Sequence, residues 1–264
     1  MKLWSKKESK MKIIVPLKQV PDLVEELEIA PEGNKLDISW LKLIINEADD
    51  HALEEAIILK EKVGGEVTAI SVDMGEVDDM LFNALARGAD KAIKLRGVEQ
   101  FIDSHTYAKV LADTIKGMEY DLVFTGVQAV DDIDGQIGIL LAAYLDIPYI
   151  GLVTKVEKTD GELMVSKEYA GGIYGEFKVS PPCVLGVLAS EEPPRYVPIS
   201  KLRQVMKTAT IEEMDVSVPE VETGIEIVKM YKPEVGKGAE IIEGSPEEVT
   251  KKIVDILIEK GILR

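Results

Sequence analysis

The sequence has little of what thiol and metal chemistry need. Of its 264 residues one is cysteine, Cys183, and two are histidine, His51 and His105. A lone cysteine excludes an intrachain disulfide and a thiolate metal cluster. The two histidines stand far apart without ligand spacing, so no metal site is expected. No apolar run approaches the roughly 18 residues of a membrane span, so the chain is not expected to cross a bilayer. Positive charge is also short: 31 Lys and Arg face 48 Asp and Glu, a formal net charge of −17. A field of that sign repels phosphate backbones, and nucleic acid is not an expected partner. It leaves room for a small anion held by backbone amides. The segment 1–10 is charged and has no apolar signal core, which reads as a solvated extension of a cytoplasmic protein.

What is present is a globular core. Hydrophobic residues make up 46% of the chain, enough to bury one sizeable domain or two small ones. Lys12-Ile13-Ile14-Val15-Pro16-Leu17 is a short apolar run of the kind found in a buried parallel strand. Ala48, Ala52, Ala56 and Leu59 recur at helical spacing and predict a helix over 47–62, ended by Gly64-Gly65. Strand and helix then alternate: strand 66–72, helix 77–87, strand 91–95, a helix capped by Ser104, strand 121–125, helix 134–145. No hairpin signals interrupt them. The pattern predicts an α/β fold, an open, mostly parallel sheet with helices on both faces.

After Pro148 come extended segments at 149–157, 161–170 and 176–179, with a turn at Thr159-Asp160-Gly161. Cys183–Leu188 is a last buried strand, with Cys183 as a core residue. Lys201–Lys207 is a short basic helix, and residues 208–240 show little periodicity. Ser245-Pro246-Glu247-Glu248 carries the signature of a capping box and opens a final helix. The tail from 195 to 264 has too little pattern for a core of its own. It lies either on another chain, the more economical reading, or back over its own sheet.

Three strand ends hold candidate binding residues. The richest is Thr125–Gly138, where Gly126, Gly135 and Gly138 allow close backbone approach, Gln136 can donate to a phosphate, and Asp131, Asp132 and Asp134 can accept from ribose hydroxyls. It leads from a strand into a helix, where free amides favour an anion. An ordinary acidic helix start with packing glycines is the competing reading. The others are Pro16–Asp22 with Lys18, and Ser71–Gly75. No catalytic nucleophile or base emerges, since Ser71 has no histidine partner and His51 sits on a helix. The residues describe a nucleotide-binding module without a reaction centre of its own.

From Met11 to about Lys207 the sequence resembles the beta subunit of electron transfer flavoproteins. The resemblance is carried by Lys12–Asp22, Asn46 with Ala52-Leu53-Glu54-Glu55-Ala56, Arg87-Gly88-Ala89-Asp90, Gly126–Asp131, and Val165–Gly172 running on to Pro181–Leu185. Two positions depart from the signature, Ala170 and Tyr174-Gly175, where acids are common. The resemblance implies a fold of the adenine-nucleotide alpha-hydrolase type and an alpha-subunit partner with its own FAD. It divides the chain into an extension (1–10), a nucleotide-binding domain (11–194), and a partner-recognition loop with a C-terminal arm on the alpha subunit (195–264). By position, the nucleotide would meet Pro16, Leu17, Lys18, Asn46, Ser71, Val72, Gly126, Gln128, Asp132, Asp134, Gly135, Gln136, Ile137 and Gly138.

The family's beta subunit holds AMP or, in electron-bifurcating members, a second FAD. Members that hold AMP resemble one another in placing Asn and Thr around the glutamine. Here Gly135 and Ile137 stand there, leaving room for a pyrophosphate, so FAD is the expected ligand and AMP the alternative. The implied chemistry is hydride transfer from NADH. One electron then goes to the alpha-subunit FAD and a dehydrogenase or quinone oxidoreductase, and the other to ferredoxin or flavodoxin. Any membrane association would come through partner subunits. Pro194–Lys201 resembles the partner-recognition loop, with Tyr196 and Ile199 as docking residues. A conventional AMP-binding carrier and a stand-alone nucleotide-binding protein of the same fold are the competing functions.

Overall fold

The computed structural model describes residues 10–98, 102–159, 162–221, 227–234, 236 and 238–263. The expected extension, save Lys10, and the turn residues Asp160 and Gly161 lie outside the described residues.

The sheet grows in both directions from β1 (Met11–Pro16). The chain passes through a two-stranded antiparallel ribbon, β2 (Gln19–Pro21) and β3 (Leu43–Ile45), into α1 (Glu47–Val63). It returns as β4 (Gly65–Val72) beside β1, then runs outward through α2 (Asp78–Arg87) to β5 (Lys91–Arg96). After α3 (Ser104–Ile115) it crosses back to the other side of β1 as β6 (Leu122–Gly126), followed by α4 (Ile137–Leu145). Three antiparallel strands follow, β7 (Tyr149–Thr159), β8 (Glu162–Tyr169) and β9 (Ile173–Val179); β10 (Cys183–Val187) then inserts between β6 and β7. Among the described residues the order is β11-β5-β4-β1-β6-β10-β7-β8-β9, where β11 is Glu212–Asp215. The first seven run parallel, as the alternation of strands and helices predicted.

Strand periodicity decides what each face buries. Ile13, Val15, Val67, Ala69, Leu122, Phe124 and Leu185 pack with α1 and α2 on one face. Ile14, Ile70, Val72, Val123 and Val184 pack with α3 and α4 on the other. Cys183 is fully buried in the first cluster, and burial pushes its thiol up to about 12.

The observed elements depart from the expectations in four places. The cap of α3 is Asp103, whose side chain accepts from the His105 and Thr106 amides; the carboxylate of the preceding residue outcompetes the Ser104 hydroxyl. Helix α4 begins at Ile137 rather than near 134, because Asp132 and Asp134 fold into side-chain-to-backbone turns. The β2–β3 ribbon lies between the first apolar run and the helix over 47–62, where no strand is expected. Strand β11 lies in the segment read as unpatterned. Its Glu-Glu-Met-Asp sequence has no apolar alternation, yet it pairs with β5 at the sheet edge, where Lys94 holds Glu213 at 3.1 Å and Arg96 holds Asp215 at 2.8 Å.

Helix α5 (Ile199–Thr208) packs against α2, so the segment 199–215 folds on its own chain. Residues 229–264 form a separate compact unit containing α6 (Pro246–Glu259). Its Ser245–Glu248 capping box is present as predicted, with Pro246 in the first turn. No described helix is long and apolar enough to cross a membrane.

Candidate functional site

The strand order reverses between β1 and β6, and in an open α/β sheet ligands bind beyond the carboxyl ends of the strands at that point. A narrow cleft lies there. Pro16 and Lys18 line it from the end of β1, Asn46 and Asp49 from the start of α1, and Tyr107 from α3. Thr125 to Ala129 line it from the end of β6, and Asp132, Asp134, Gly135 and Ile137 from the approach to α4.

Asp49 ties the two strand ends together. Its Oδ2 accepts from the Lys18 amide at 3.0 Å and its Oδ1 from the Gly126 amide at 3.0 Å. Burial pushes its carboxyl up to about 6, against the pull of those two amides, the Asn46 side chain and the Lys18 charge. Gly126 is required here: a Cβ would stand 2.7 Å from both the Ala48 carbonyl carbon and the Asp49 nitrogen.

The Lys18 ammonium spans the cleft, donating to Asp131 Oδ1 and Asp132 Oδ2, each at 2.8 Å. Burial works against its charge, but the two aspartates outweigh it and hold the amine above the usual lysine value. Asn46 Nδ2 donates to the Gln128 carbonyl at 2.9 Å and ties α1 to the loop after β6. In that loop Ile133 has a positive φ of 57°, a strained backbone for a β-branched residue. Asp134 turns its carboxylate towards the Ser104 hydroxyl and the Gln136 amide.

Three buried polar atoms on the cleft wall have no hydrogen-bond partner: Asn46 Oδ1, Thr125 Oγ1 and Tyr107 Oη, which lies against the Val72 backbone. Burial raises the Tyr107 pKa far above its usual value, so the hydroxyl remains a donor. Unpaired buried polar groups are costly, and the three residues that carry them all line one cleft. Two are acceptors or donors at will and one is an amide oxygen, a set suited to a ligand with hydroxyl, amine and phosphate groups.

A second, open cleft of about 530 Å³ adjoins the first through Val127 and Gly135. Tyr149, Tyr169 and Phe177 give it aromatic walls, with Gly151, Leu152 and Lys167 completing them.

Of the residues predicted from sequence, Pro16, Lys18, Asn46, Gly126, Gln128, Asp132, Asp134, Gly135 and Ile137 come together on the first cleft. Leu17, Ser71 and Val72 lie buried behind it, and the Ser71 hydroxyl donates to the Leu17 carbonyl at 2.8 Å. Gln136 caps α4. Gly138 serves packing, since a Cβ would stand 2.7 Å from Thr125 Oγ1 and 2.8 Å from the Tyr149 ring. Tyr196 and Ile199 are 81% and 61% exposed. Sequence reasoning missed Asp49 and Tyr107, and took Thr125 only as the first residue of the candidate stretch. Asp49 had a signal, an acid in the first turn of a helix that starts at the cleft; Tyr107 had none.

The electron transfer flavoprotein domain matches residues 39–219. The chain is 34% identical to an electron transfer flavoprotein subunit beta from Thermoanaerobacterium thermosaccharolyticum, over 96% of this chain and 100% of that protein. It is 32% identical to the subunit beta from Methylophilus methylotrophus, over 94% of this chain and 98% of the other. It is 26% identical to the acryloyl-CoA reductase electron transfer subunit gamma of Anaerotignum propionicum, over 96% and 100%. With similarity of that extent and a cleft at the reversal of a parallel sheet, the chain belongs to the electron transfer flavoprotein family.

Proposed function

We propose that this chain is the beta subunit of an electron transfer flavoprotein, holding an adenine nucleotide in the first cleft and pairing with an alpha subunit that carries FAD. The observation that carries the nucleotide is that Asn46, Tyr107 and Thr125, each with an unpartnered buried polar atom, line one cleft at the reversal of the strand order. The cleft is narrow, and entry of a nucleotide would displace part of the 127–136 loop that lines it. The parts that would move are the Lys18–Asp131–Asp132 bridge and the strained Ile133 turn. Lys18 then exchanges two carboxylates for phosphate oxygens. Asp134, already turned to Ser104, stays clear of the phosphates. Gly135 and Ile137, at the start of α4, line the same cleft, and a helix N-terminus favours an anion.

The finer proposal is that the nucleotide is FAD. Gly135 and Ile137 bring no polar side chain to the phosphate region, and the adjoining aromatic-walled cleft supplies space for a ligand longer than AMP. Bound there, FAD would accept a hydride from NADH and divide the electrons between the alpha-subunit FAD, on the side of a dehydrogenase or quinone oxidoreductase, and ferredoxin or flavodoxin. The chain's own residues bind, orient and shield it, and no side chain acts as acid or base. Release of ligands from the complex with its alpha subunit, purified without added flavin, tests this by mass spectrometry and absorbance. Two FAD per heterodimer are expected. One FAD with one AMP would leave the nucleotide site standing and overturn bifurcation.

A further inference from the structure

Helix α1 begins at the cleft and, further along, grips the segment that leads to Tyr196 and Ile199. We propose that Glu54 is a positioning residue for redox-partner docking: through Arg195 it fixes the direction in which Tyr196 and Ile199 meet the partner. This rests on the reading of 194–201 as the docking segment.

Glu54 is buried on α1, with its carboxylate between two guanidinium groups. Its Oε1 accepts from Arg195 Nε at 2.8 Å. Its Oε2 accepts from the Arg195 amide at 3.0 Å and from Arg87 Nη2 at 3.1 Å. The remaining fork of Arg195 reaches both oxygens of Glu61, at 2.7 and 3.1 Å. Glu61 stands seven residues on, two turns along the same helical face. Glu54 and Glu61 together satisfy the guanidinium and hold it well above its ordinary pKa.

The grip extends to the residues before Arg195. Glu55 accepts from the Glu191 amide at 2.9 Å, and His51 Nδ1 lies 2.8 Å from the Ser190 hydroxyl. Among the described residues, Glu54 alone bonds both the backbone and the side chain of the residue next to Tyr196. A carboxylate taken out of water is destabilising unless paired and hydrogen-bonded, so this one is sustained by its arginines. The apolar packing of α1 runs through Leu53, Ala56 and Ile57 and does not need Glu54. Arg87 keeps Asp50 as a second partner. Loss of the Glu54 charge therefore falls on the loop. A free loop pays an ordering entropy on each docking event, which appears as weaker association.

The test uses the full chain in complex with its alpha subunit, as wild type, Glu54→Gln, Arg195→Gln, the double variant and Ile199→Asp. Hydrogen–deuterium exchange is followed in the peptide 188–198. Electron transfer is measured with a purified flavoprotein dehydrogenase as redox partner and with ferricyanide as a small diffusible acceptor. Glu54→Gln should speed exchange in that peptide and raise KM for the protein partner about tenfold, the loss of about one charge-assisted hydrogen bond. It should leave kcat, flavin content and the ferricyanide rate in place. The double variant should be no worse than either single variant, since the two residues act as one unit. If Ile199→Asp raises KM and Glu54→Gln does not, the positioning role fails and docking stands. If Ile199→Asp leaves KM unchanged, the docking reading itself fails. A Glu54→Gln effect that appears equally with ferricyanide would mark a general structural role and overturn the inference. Should Glu54→Gln not fold, Arg195→Gln carries the same comparison.

Discussion

Asp49→Asn isolates the energetics of the cleft. Burial raises the Asp49 carboxyl from the ordinary 3.8 to about 6. The folded protein therefore holds the Asp49 proton over a pH range where the unfolded chain has released it. The stability this gives is complete below pH 4 and is lost as pH rises through 6. At about 1.4 kcal/mol per pH unit, the full excursion is about 3 kcal/mol. Asparagine has no charge to lose, and its single amide oxygen can satisfy only one of the Lys18 and Gly126 amides. The variant should therefore be destabilised by about 1–3 kcal/mol at pH 4.5, from one unpaired buried donor. That deficit should shrink or reverse by pH 8, where the wild type carries a buried charge. Urea unfolding of both proteins in steps from pH 4 to 8 measures this. The difference between the two curves removes contributions common to both, including the easing of the overall −17 charge at low pH. Parallel stability curves across pH 4–8 would refute the argument and mean that Asp49 is solvated in solution.

Lys18→Ala removes the cation and leaves Asp131 and Asp132 facing an incoming phosphate. Nucleotide affinity should fall about tenfold to a hundredfold, with a weaker salt dependence, measured by calorimetry. Gly126→Ala places a methyl group against the backbone at the start of α1 and should destabilise by about 1–3 kcal/mol with loss of bound nucleotide; denaturant unfolding and ligand release measure both.

Much of the site was legible because it lies at strand ends marked by glycine and acid. Gly126, Gly135 and the acids of 131–134 follow an apolar strand and precede an apolar helix, a local order visible in one dimension. The parallel sheet was legible for the same reason, since each of its core strands is an apolar run. Strand β11 was not, because an acidic edge strand is held by its pairing with β5 and by Lys94 and Arg96, more than a hundred residues earlier. Tyr107 was invisible because only the packing of α3 against α4 carries it to the cleft wall. Gly138 was placed in the site but its role differs: it lets α4 approach Thr125 and Tyr149.

By itself the sequence determined the core strands and helices, the two-sided apolar strands and the family, because these are set by local patterning and composition. The tertiary structure alone decided that Asp49 bridges β1 and β6, that Lys18 is held by the loop acids, and that Glu54 grips Arg195. Each of those depends on bringing charges from distant segments into a place with little water. There, burial and partner geometry, which no stretch of sequence contains, decide what a carboxylate does.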